Sequence, residues 1–195
     1  RTTPWASSVL RKEGLAMVEE LIIAGFGGQG VMLMGQLLSY AGMREAKNVS
    51  WIPSYGPEMR GGTANCAVVI STESIGSPIV TEPTTLIVMN RPSLDRFEQA
   101  VRPGGLLIYN DSLIDREPQR TDIRIIAVPA VEMARELGSD RVANMCVLGA
   151  YLGATGVVAL ESVAECLKEV LPERRHDLIP LNVEALARGA ALAKP

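Results

Sequence analysis

A glycine-rich segment, GFGGQG at residues 25–30, has the clearest potential for chemistry. It follows the apolar run 21–24 and precedes the helix-like run 31–46. In a strand–loop–helix unit, such glycines permit a tight turn, a close approach of the backbone to a ligand, and close packing of the helix on the strand. The amides and the dipole of the helix N-terminus favour an anion there. We therefore expect a phosphate or carboxylate site at Gly27–Gly30, where the amide of Gln29 can hydrogen-bond a ligand or a facing chain.

The same segment also satisfies the G-x-G-x-x-G pattern of NAD(P)- and FAD-binding folds. That interpretation requires an acidic residue about 20 residues further on, at the end of the second strand, to hold the ribose hydroxyls. The second strand-like run, 49–52, is followed by Pro53-Ser54-Tyr55, so no acidic residue stands at its end. Glu45 lies before this strand, and Glu58 lies inside the next loop. A stand-alone dinucleotide-binding module is therefore the alternative function, and a glycine turn that serves packing alone is another.

A second segment, SYGPEMRGGTANC at residues 54–66, follows the second strand-like run. Its proline restricts the backbone and its paired glycines permit a close approach, which is typical of an ordered loop that presents polar groups. Because the carboxyl ends of parallel strands meet at one edge of a sheet, we expect this loop to emerge beside residues 25–30, where open α/β sheets bind ligands. Arg60 would contact an anion or a subunit interface there, or else form a local ion pair with Glu58.

Composition and charge limit the classes of function. The chain has 195 residues, of which 47% are hydrophobic and 21% charged, as expected for one globular domain. A net charge of −3 gives no electrostatic reason to bind nucleic acid or an anionic membrane. Cys66, Cys146 and Cys166 are scattered and form no C-x-x-C, so we expect this chain alone to hold no iron–sulfur cluster or other metal. Scattered cysteines also predict a reducing, cytoplasmic location.

Groups for acid–base or nucleophilic catalysis are scarce. The single histidine, His176, lies in a charged stretch and is expected to be a solvated surface residue. No serine lies in a G-x-S-x-G elbow. We therefore expect binding and assembly roles for this chain, and we assign it no catalytic residue.

The elements that position these loops are strand-like runs alternating with helix-like runs. Continuous apolar strands in such an alternation indicate a mostly parallel sheet covered on both faces. The expected fold is α/β, three-layer and Rossmann-like, with a helical C-terminal third. Ser93 is the expected N-cap of a helix over 94–101. The expected strands are 21–24, 49–52, 65–71, 86–89, 106–109 and 123–128, and the other expected helices are 31–46, 131–137, 142–154, 161–171 and 181–193.

Residues 142–160 carry no charge over nearly the length of a membrane span. However, Gly149 and Gly153 are spaced as a close-packing pair, and Thr155-Gly156 indicates a break. The sequence therefore predicts a buried helix that ends near Ala154, and no contact with a membrane.

Residues 1–16 differ in character from the rest of the chain. They resemble neither core nor signal peptide, since no apolar run lies between their charges, and Met17 resembles a natural start. We expect them to be a vector-derived or upstream extension, which leaves 17–195 as a single domain.

The motifs together resemble one family. GFGGQG after a first strand, SYGPEMRGGTANC after a second, and Asn144 followed by Leu148-Gly149 in a late helix resemble the gamma subunit of 2-oxoacid:ferredoxin oxidoreductases of the pyruvate, ketoisovalerate and 2-oxoglutarate type. The resemblance extends from Met17 to the C-terminus. It implies cofactor-binding or interface roles for Gly25, Gly27, Gly28, Gln29, Gly30, Tyr55, Gly56, Glu58, Arg60, Gly61, Gly62 and Asn144.

The resemblance also implies an activity and a set of partners. The complex would oxidatively decarboxylate a 2-oxoacid with coenzyme A, giving acyl-CoA and CO2, and would pass the electrons to ferredoxin. Thiamine diphosphate, Mg²⁺ and iron–sulfur clusters would belong to alpha and beta subunits that bind thiamine and to a ferredoxin-like delta subunit or domain. This chain would bind no cofactor alone, would be inactive alone, and would form a homodimer when isolated. The expected acid is 2-oxoglutarate, with specificity set largely by the thiamine-binding subunits.

Overall fold

The computed structural model describes residues 16–55 and 62–193, so the interpretation of residues 1–16 as an extension falls almost entirely outside that range. The described chain forms one sheet with helices packed against it. Its strands are β1 (Val18–Phe26), β2 (Asn48–Tyr55), β3 (Thr63–Ser71), β4 (Thr85–Val88), β5 (Leu106–Asn110) and β6 (Arg124–Val128). Its α-helices are α1 (Val31–Arg44), α2 (Arg91–Phe97), α3 (Ala130–Glu136), α4 (Ala143–Thr155), α5 (Leu160–Val170) and α6 (Ile179–Ala193).

The sheet is mixed but mostly parallel in strand direction, as predicted. The strand order is β2-β3-β1-β4-β5-β6; β3 runs against its neighbours β1 and β2, whereas β1, β4, β5 and β6 pair in parallel. The antiparallel pairs Phe26–Thr63 and Tyr55–Ala64 place the ends of β1 and β2 at the same edge of the sheet. Both motif loops therefore begin at the edge where open α/β sheets bind ligands.

Apolar cores lie on both faces of the sheet and give the three layers that the sequence predicts. Alternate residues of a strand point to opposite faces. Leu21 and Ile23 of β1 therefore join a large core beneath α1, α4, α5 and α6, and Ile22 and Ala24 join a smaller core beneath α2. The large core depends on the last third of the chain, which is helical as expected.

The start of α2 differs from the sequence prediction. The helix begins at Arg91, and its N-cap is Asn90, whose Oδ1 accepts a 2.9 Å hydrogen bond from the backbone N–H of Ser93. The prediction of Ser93 as the N-cap is wrong, because Pro92 is tolerated in the first turn and does not delay the start of the helix.

The uncharged helix α4 is buried against α6. A β-carbon at Gly149 would lie 2.8 Å from the carbonyl carbon of Leu186, and one at Gly153 would lie 2.9 Å from Cα of Ala190, so the two backbones touch. The predicted close-packing pair and buried helix are confirmed, with α4 ending one residue later than expected. Among residues 16–55 and 62–193, no helix has the length and apolarity needed to cross a membrane.

Candidate functional site

The glycine loop connects the buried end of β1 to the start of α1. Gly30 is the N-cap of α1, with φ of 76°, a left-handed conformation that favours glycine, and no side chain caps the helix. The first turn of α1 contains no acidic residue either. Its backbone amides therefore present a partial positive charge at the carboxyl edge of the sheet, as the sequence predicts for an anion site.

Gln29 fastens this loop to the neighbouring strand. Its Oε1 accepts hydrogen bonds from the backbone N–H of Phe26 (2.7 Å) and from Nδ2 of Asn90 (3.0 Å), and its Nε2 donates to the carbonyl of Met89 (3.1 Å). Beneath it, a β-carbon on Gly25 would lie 2.8 Å from Oε1 of Gln29. Gln29 and Gly25 thus fix the shape of the loop. One amide hydrogen of Gln29 stays available for a ligand.

The structure brings Asn144 to the glycine loop. Asn144 lies in the first turn of α4 and is buried, and its side chain contacts the face of Gly30 where a β-carbon would be. A short 3-10 turn, Asp140–Val142, leads directly into α4. The Ser139 side chain caps that turn by accepting a hydrogen bond from the backbone N–H of Arg141, and Asp140 lies in it. Two residues of the predicted site that are far apart in sequence therefore meet where the uncapped N-terminus of α1 adjoins the start of α4.

The second motif approaches the glycine loop from the other side. The backbone N–H of Gly27 donates a 3.0 Å hydrogen bond to the carbonyl of Gly62. Tyr55, at the end of β2, is 65% exposed beside them. The remaining predicted site residues of this motif lie outside the described residues: Gly56, Glu58, Arg60 and Gly61.

Two adjoining clefts open around the loops. The main cleft, with a volume of about 640 Å³, runs between the glycine loop, the end of β5, the start of α4 and the turn before α6. The side cleft, of about 350 Å³, lies between the glycine loop, Tyr55 and Gly62. The clefts share Gly28, Gly30, Leu33 and Arg175, so a ligand longer than either could occupy both.

Three arginines give the main cleft its charge. Arg141, Arg174 and Arg175 line it, and none of them forms an ion pair with another residue in the described part of the chain. The acidic residue in the lining, Asp140, is paired with Arg135 at 3.2 Å. Sequence reasoning missed these arginines because Arg141 and the adjacent Arg174 and Arg175 lie in two short helical turns that only the fold brings together.

The described titratable groups around the clefts do not form an acid–base pair. Partial burial, and after it the charge of Glu132, raise the pKa of Asp111 above its usual value, but Asp111 is not among the residues that line either cleft. His176, expected to be solvated, is half-buried, and its Nε2 lies 2.9 Å from the carbonyl oxygen of Leu171. The clefts therefore present cations, the N-terminus of α1 and amide groups, which bind anions.

The strand order disfavours the dinucleotide alternative. In a conventional dinucleotide-binding fold, a parallel strand beside β1 ends in the acidic residue that holds the ribose. Here β3 occupies that place and runs antiparallel to β1, so it begins at the ligand edge with Thr63 and Ala64. No carboxylate of the described β2 or β3 stands where the ribose would lie.

Comparisons with known proteins match nearly the whole described chain. The family model described as pyruvate ferredoxin/flavodoxin oxidoreductase matches residues 20–192. The chain is 42% identical over 174 residues to ketoisovalerate oxidoreductase subunit VorA of Methanothermobacter marburgensis, which covers 88% of this chain and 36% of that protein. It is 39% identical over 183 residues to 2-oxoglutarate synthase subunit KorC of the same organism, covering 90% of this chain and 97% of that protein.

A solved structure shares the fold. The gamma subunit of a keto/oxoacid ferredoxin oxidoreductase from Geobacter sulfurreducens is 28% identical, with a TM-score of 0.76 over 90% of this chain and 98% of that chain. This chain is thus similar to nearly all of that gamma subunit and of KorC, whereas it spans only 36% of the length of VorA.

Proposed function

Because this chain belongs to the pyruvate ferredoxin/flavodoxin oxidoreductase family, we propose that it is the gamma-type subunit of a 2-oxoacid:ferredoxin oxidoreductase. The complex oxidatively decarboxylates a 2-oxoacid with coenzyme A, giving acyl-CoA and CO2, and ferredoxin accepts the electrons. This chain supplies a subunit interface and contacts to coenzyme A. The observation that carries the coenzyme A contact is the main cleft, where the uncapped N-terminus of α1 and three arginines without an ion-pair partner among the described residues surround the glycine loop.

The chemistry of the cleft matches the phosphates of coenzyme A. Helix N-termini offer backbone N–H groups and a favourable dipole to a phosphate, and arginine forms charge-assisted hydrogen bonds with it. Arg175 lines both clefts, so it can contact a phosphate group of a ligand that extends from one cleft into the other. Adjacent Tyr55, largely exposed, offers either an apolar ligand contact or part of a subunit interface.

The chain's own residues do not fit the redox cofactors of such a complex. Burial raises the pKa of the Cys66 thiol to about 12 and that of Cys146 to about 11, so these thiols are poor ligands for iron. In the described ranges, no three or more His, Cys, Asp or Glu residues are grouped so as to hold a metal ion. We therefore assign thiamine diphosphate with Mg²⁺ to alpha and beta subunits, and the iron–sulfur clusters mainly to those subunits and to a ferredoxin-like delta subunit or domain.

The acid is a property of the complex rather than of this chain. Its relatives include a subunit of a ketoisovalerate oxidoreductase and one of a 2-oxoglutarate synthase. Among the described residues, neither cleft contains a catalytic pair that could act on the carboxylate or the carbonyl of the acid. We keep 2-oxoglutarate as the expected acid and place its recognition on the thiamine-binding subunits.

Anaerobic purification of the tagged chain from its native host tests the proposal. We expect thiamine-binding and ferredoxin-like subunits to co-purify, and the complex to reduce ferredoxin with a 2-oxoacid and coenzyme A. The purified chain alone should be inactive. Recovery of the chain alone with a bound NAD(P) or flavin would contradict the proposal and favour the dinucleotide-binding alternative.

A substitution in the second motif distinguishes a purely architectural subunit from one that contacts coenzyme A. In the complex, Arg60→Ala should raise the KM for coenzyme A if the second motif contacts the ligand. If Arg60→Ala leaves that KM unchanged and instead disrupts assembly of the complex, the motif serves the interface alone.

A further inference from the structure

Asn110, the last residue of β5, carries a buried side chain without a hydrogen-bond partner. It is fully excluded from solvent, and neither its Oδ1 nor its Nδ2 has a partner among the described residues. A buried carboxamide in this state destabilises a fold, so native proteins rarely retain one without a reason.

A second buried asparagine at the end of the adjacent strand shows the contrast. Asn90 follows β4; its Nδ2 donates to Gln29, and its Oδ1 accepts from the N–H of Ser93. Asn90 is therefore satisfied within the fold. Asn110, only one strand away, is not, although both residues lie at the ligand edge of the sheet.

The place of Asn110 in the cleft supplies the reason. Asn110 forms part of the wall of the main cleft, together with Gln29, Asn144 and the arginines. A ligand held by the cations of the cleft lies against this wall. Because both polar atoms of the carboxamide are excluded from solvent, the wall must move for Asn110 to contact that ligand.

We propose that Asn110 is a ligand-binding and specificity residue whose carboxamide pairs with a planar donor–acceptor group of the anionic ligand in the main cleft. This rests on the proposed coenzyme A contact. A carboxamide presents one acceptor and one donor side by side, and its complement is an amide or the N6/N7 edge of adenine. Coenzyme A contains both, in its pantetheine arm and in its base.

The substitution Asn110→Leu separates a binding role from a structural one. Leucine has nearly the same shape, and replacing unsatisfied polar atoms by apolar ones of that shape is neutral or stabilising. We expect the Tm of the full chain to stay the same or rise. In the purified complex, the KM for coenzyme A should rise roughly ten- to hundredfold, because a hydrogen-bonding pair is lost. Asn90→Leu is the matched control and should lower the Tm, since it breaks two hydrogen bonds within the fold.

Competitive inhibitors distinguish the two ligand groups. If Asn110 pairs with adenine, Asn110→Leu should weaken inhibition of the complex by adenosine 3′,5′-bisphosphate and leave inhibition by 4′-phosphopantetheine unchanged. The reverse pattern would assign the pair to the pantetheine amide.

Several results would overturn the inference. An unchanged KM for coenzyme A in Asn110→Leu would refute the contact while the proposed function stands. A Tm that falls as far as in Asn90→Leu would make Asn110 a structural residue. A wild-type complex whose activity does not depend on coenzyme A would overturn the proposed function and this inference together.

Discussion

The side chain of Asn144 occupies the space that a β-carbon on Gly30 would need. The Cγ of Asn144 lies 2.8 Å from the position of that carbon, and Gly30 also has a φ of 76°. The glycine loop and the start of α4 are therefore fitted to each other, and the geometry of the main cleft depends on this contact.

A double-mutant cycle tests that contact. Gly30→Ala should destabilise the chain by about 1–3 kcal/mol, from the clash with Asn144 and from the left-handed backbone. In the background of Asn144→Ala, the same change should cost less, because the clash with the carboxamide is gone and only the backbone strain and a milder 3.2 Å contact with the β-carbon of residue 144 remain. Chemical unfolding of the four variants measures the coupling. Equal costs of Gly30→Ala in both backgrounds would show that the two residues do not compete for space.

Gln29 is expected to act through the shape of the loop. Gln29→Glu keeps an acceptor for Phe26 and Asn90 but places an oxygen against the carbonyl of Met89, where Nε2 now donates. We expect a loss of about 1–3 kcal/mol in the free energy of unfolding. Gln99→Glu, at an exposed position, is the control and should change stability little. Comparable stability of both variants would argue that the Gln29 side chain does not hold the loop.

The contact between α4 and α6 predicts a sensitive glycine. A β-carbon at Gly189 would lie 2.8 Å from the carbonyl carbon of Cys146, and backbone atoms cannot move aside as a flexible side chain can. Gly189→Ala should cost at least about 1–3 kcal/mol. Gly76→Ala, where no atom lies within 4 Å, is the matched control and should change stability by less than about 0.5 kcal/mol. Similar denaturation midpoints for the two variants would be evidence against the close contact of the helices.

A partly buried carboxylate gives the chain a specific dependence on pH. Burial raises the pKa of Glu19, despite hydrogen bonds from Thr85, Thr84 and Tyr151 that favour the charged form. Because the native-state pKa lies above the unfolded-state pKa, the folded protein binds more protons between the two values, and the free energy of unfolding falls as pH rises through that range. Glutamine does not titrate, so Glu19→Gln lacks this contribution to the pH dependence of the free energy of unfolding.

The measurement is the free energy of unfolding of Glu19→Gln and of the wild type from about pH 4 to about pH 8. As pH rises, the free energy of unfolding of Glu19→Gln should rise relative to that of the wild type. Exposed Glu73→Gln serves as the control and should follow the wild-type curve. A difference between Glu19→Gln and the wild type that stays constant with pH would contradict the raised pKa.

The sequence predicts the layers of this fold well, and its strand directions less well. Apolar runs alternating with helices predict a covered, mostly parallel sheet, because only buried strands can be apolar on both faces. The antiparallel direction of β3 is not visible in such a pattern, since NCAVVIS would be buried in either direction. The sequence does not identify the N-cap of α2 for a similar reason: both Asn90 and Ser93 have capping side chains, and only the backbone distinguishes them.

The candidate site was predictable where a motif lies next to a strand end. Gly27, Gly30, Tyr55 and Gly62 lie at the ligand edge as the strand-end argument predicts. The arginines of the main cleft could not be found this way, because they come from turns distant in sequence. Asn110 directly follows the expected strand 106–109, but no motif marks it. The cofactor-binding role of each residue stays a prediction.

The most direct test of the account is the KM for coenzyme A in the purified complex after the cleft arginines are removed. Arg174→Ala/Arg175→Ala should raise that KM roughly five- to tenfold, equivalent to about 1–1.4 kcal/mol, with kcat nearly unchanged and a smaller effect at high salt. Lys168→Ala removes a cation that lines neither cleft and should leave the KM unchanged. An assembled, active complex with the wild-type KM for coenzyme A, despite the loss of both arginines, would show that this cleft does not contact the phosphates of coenzyme A.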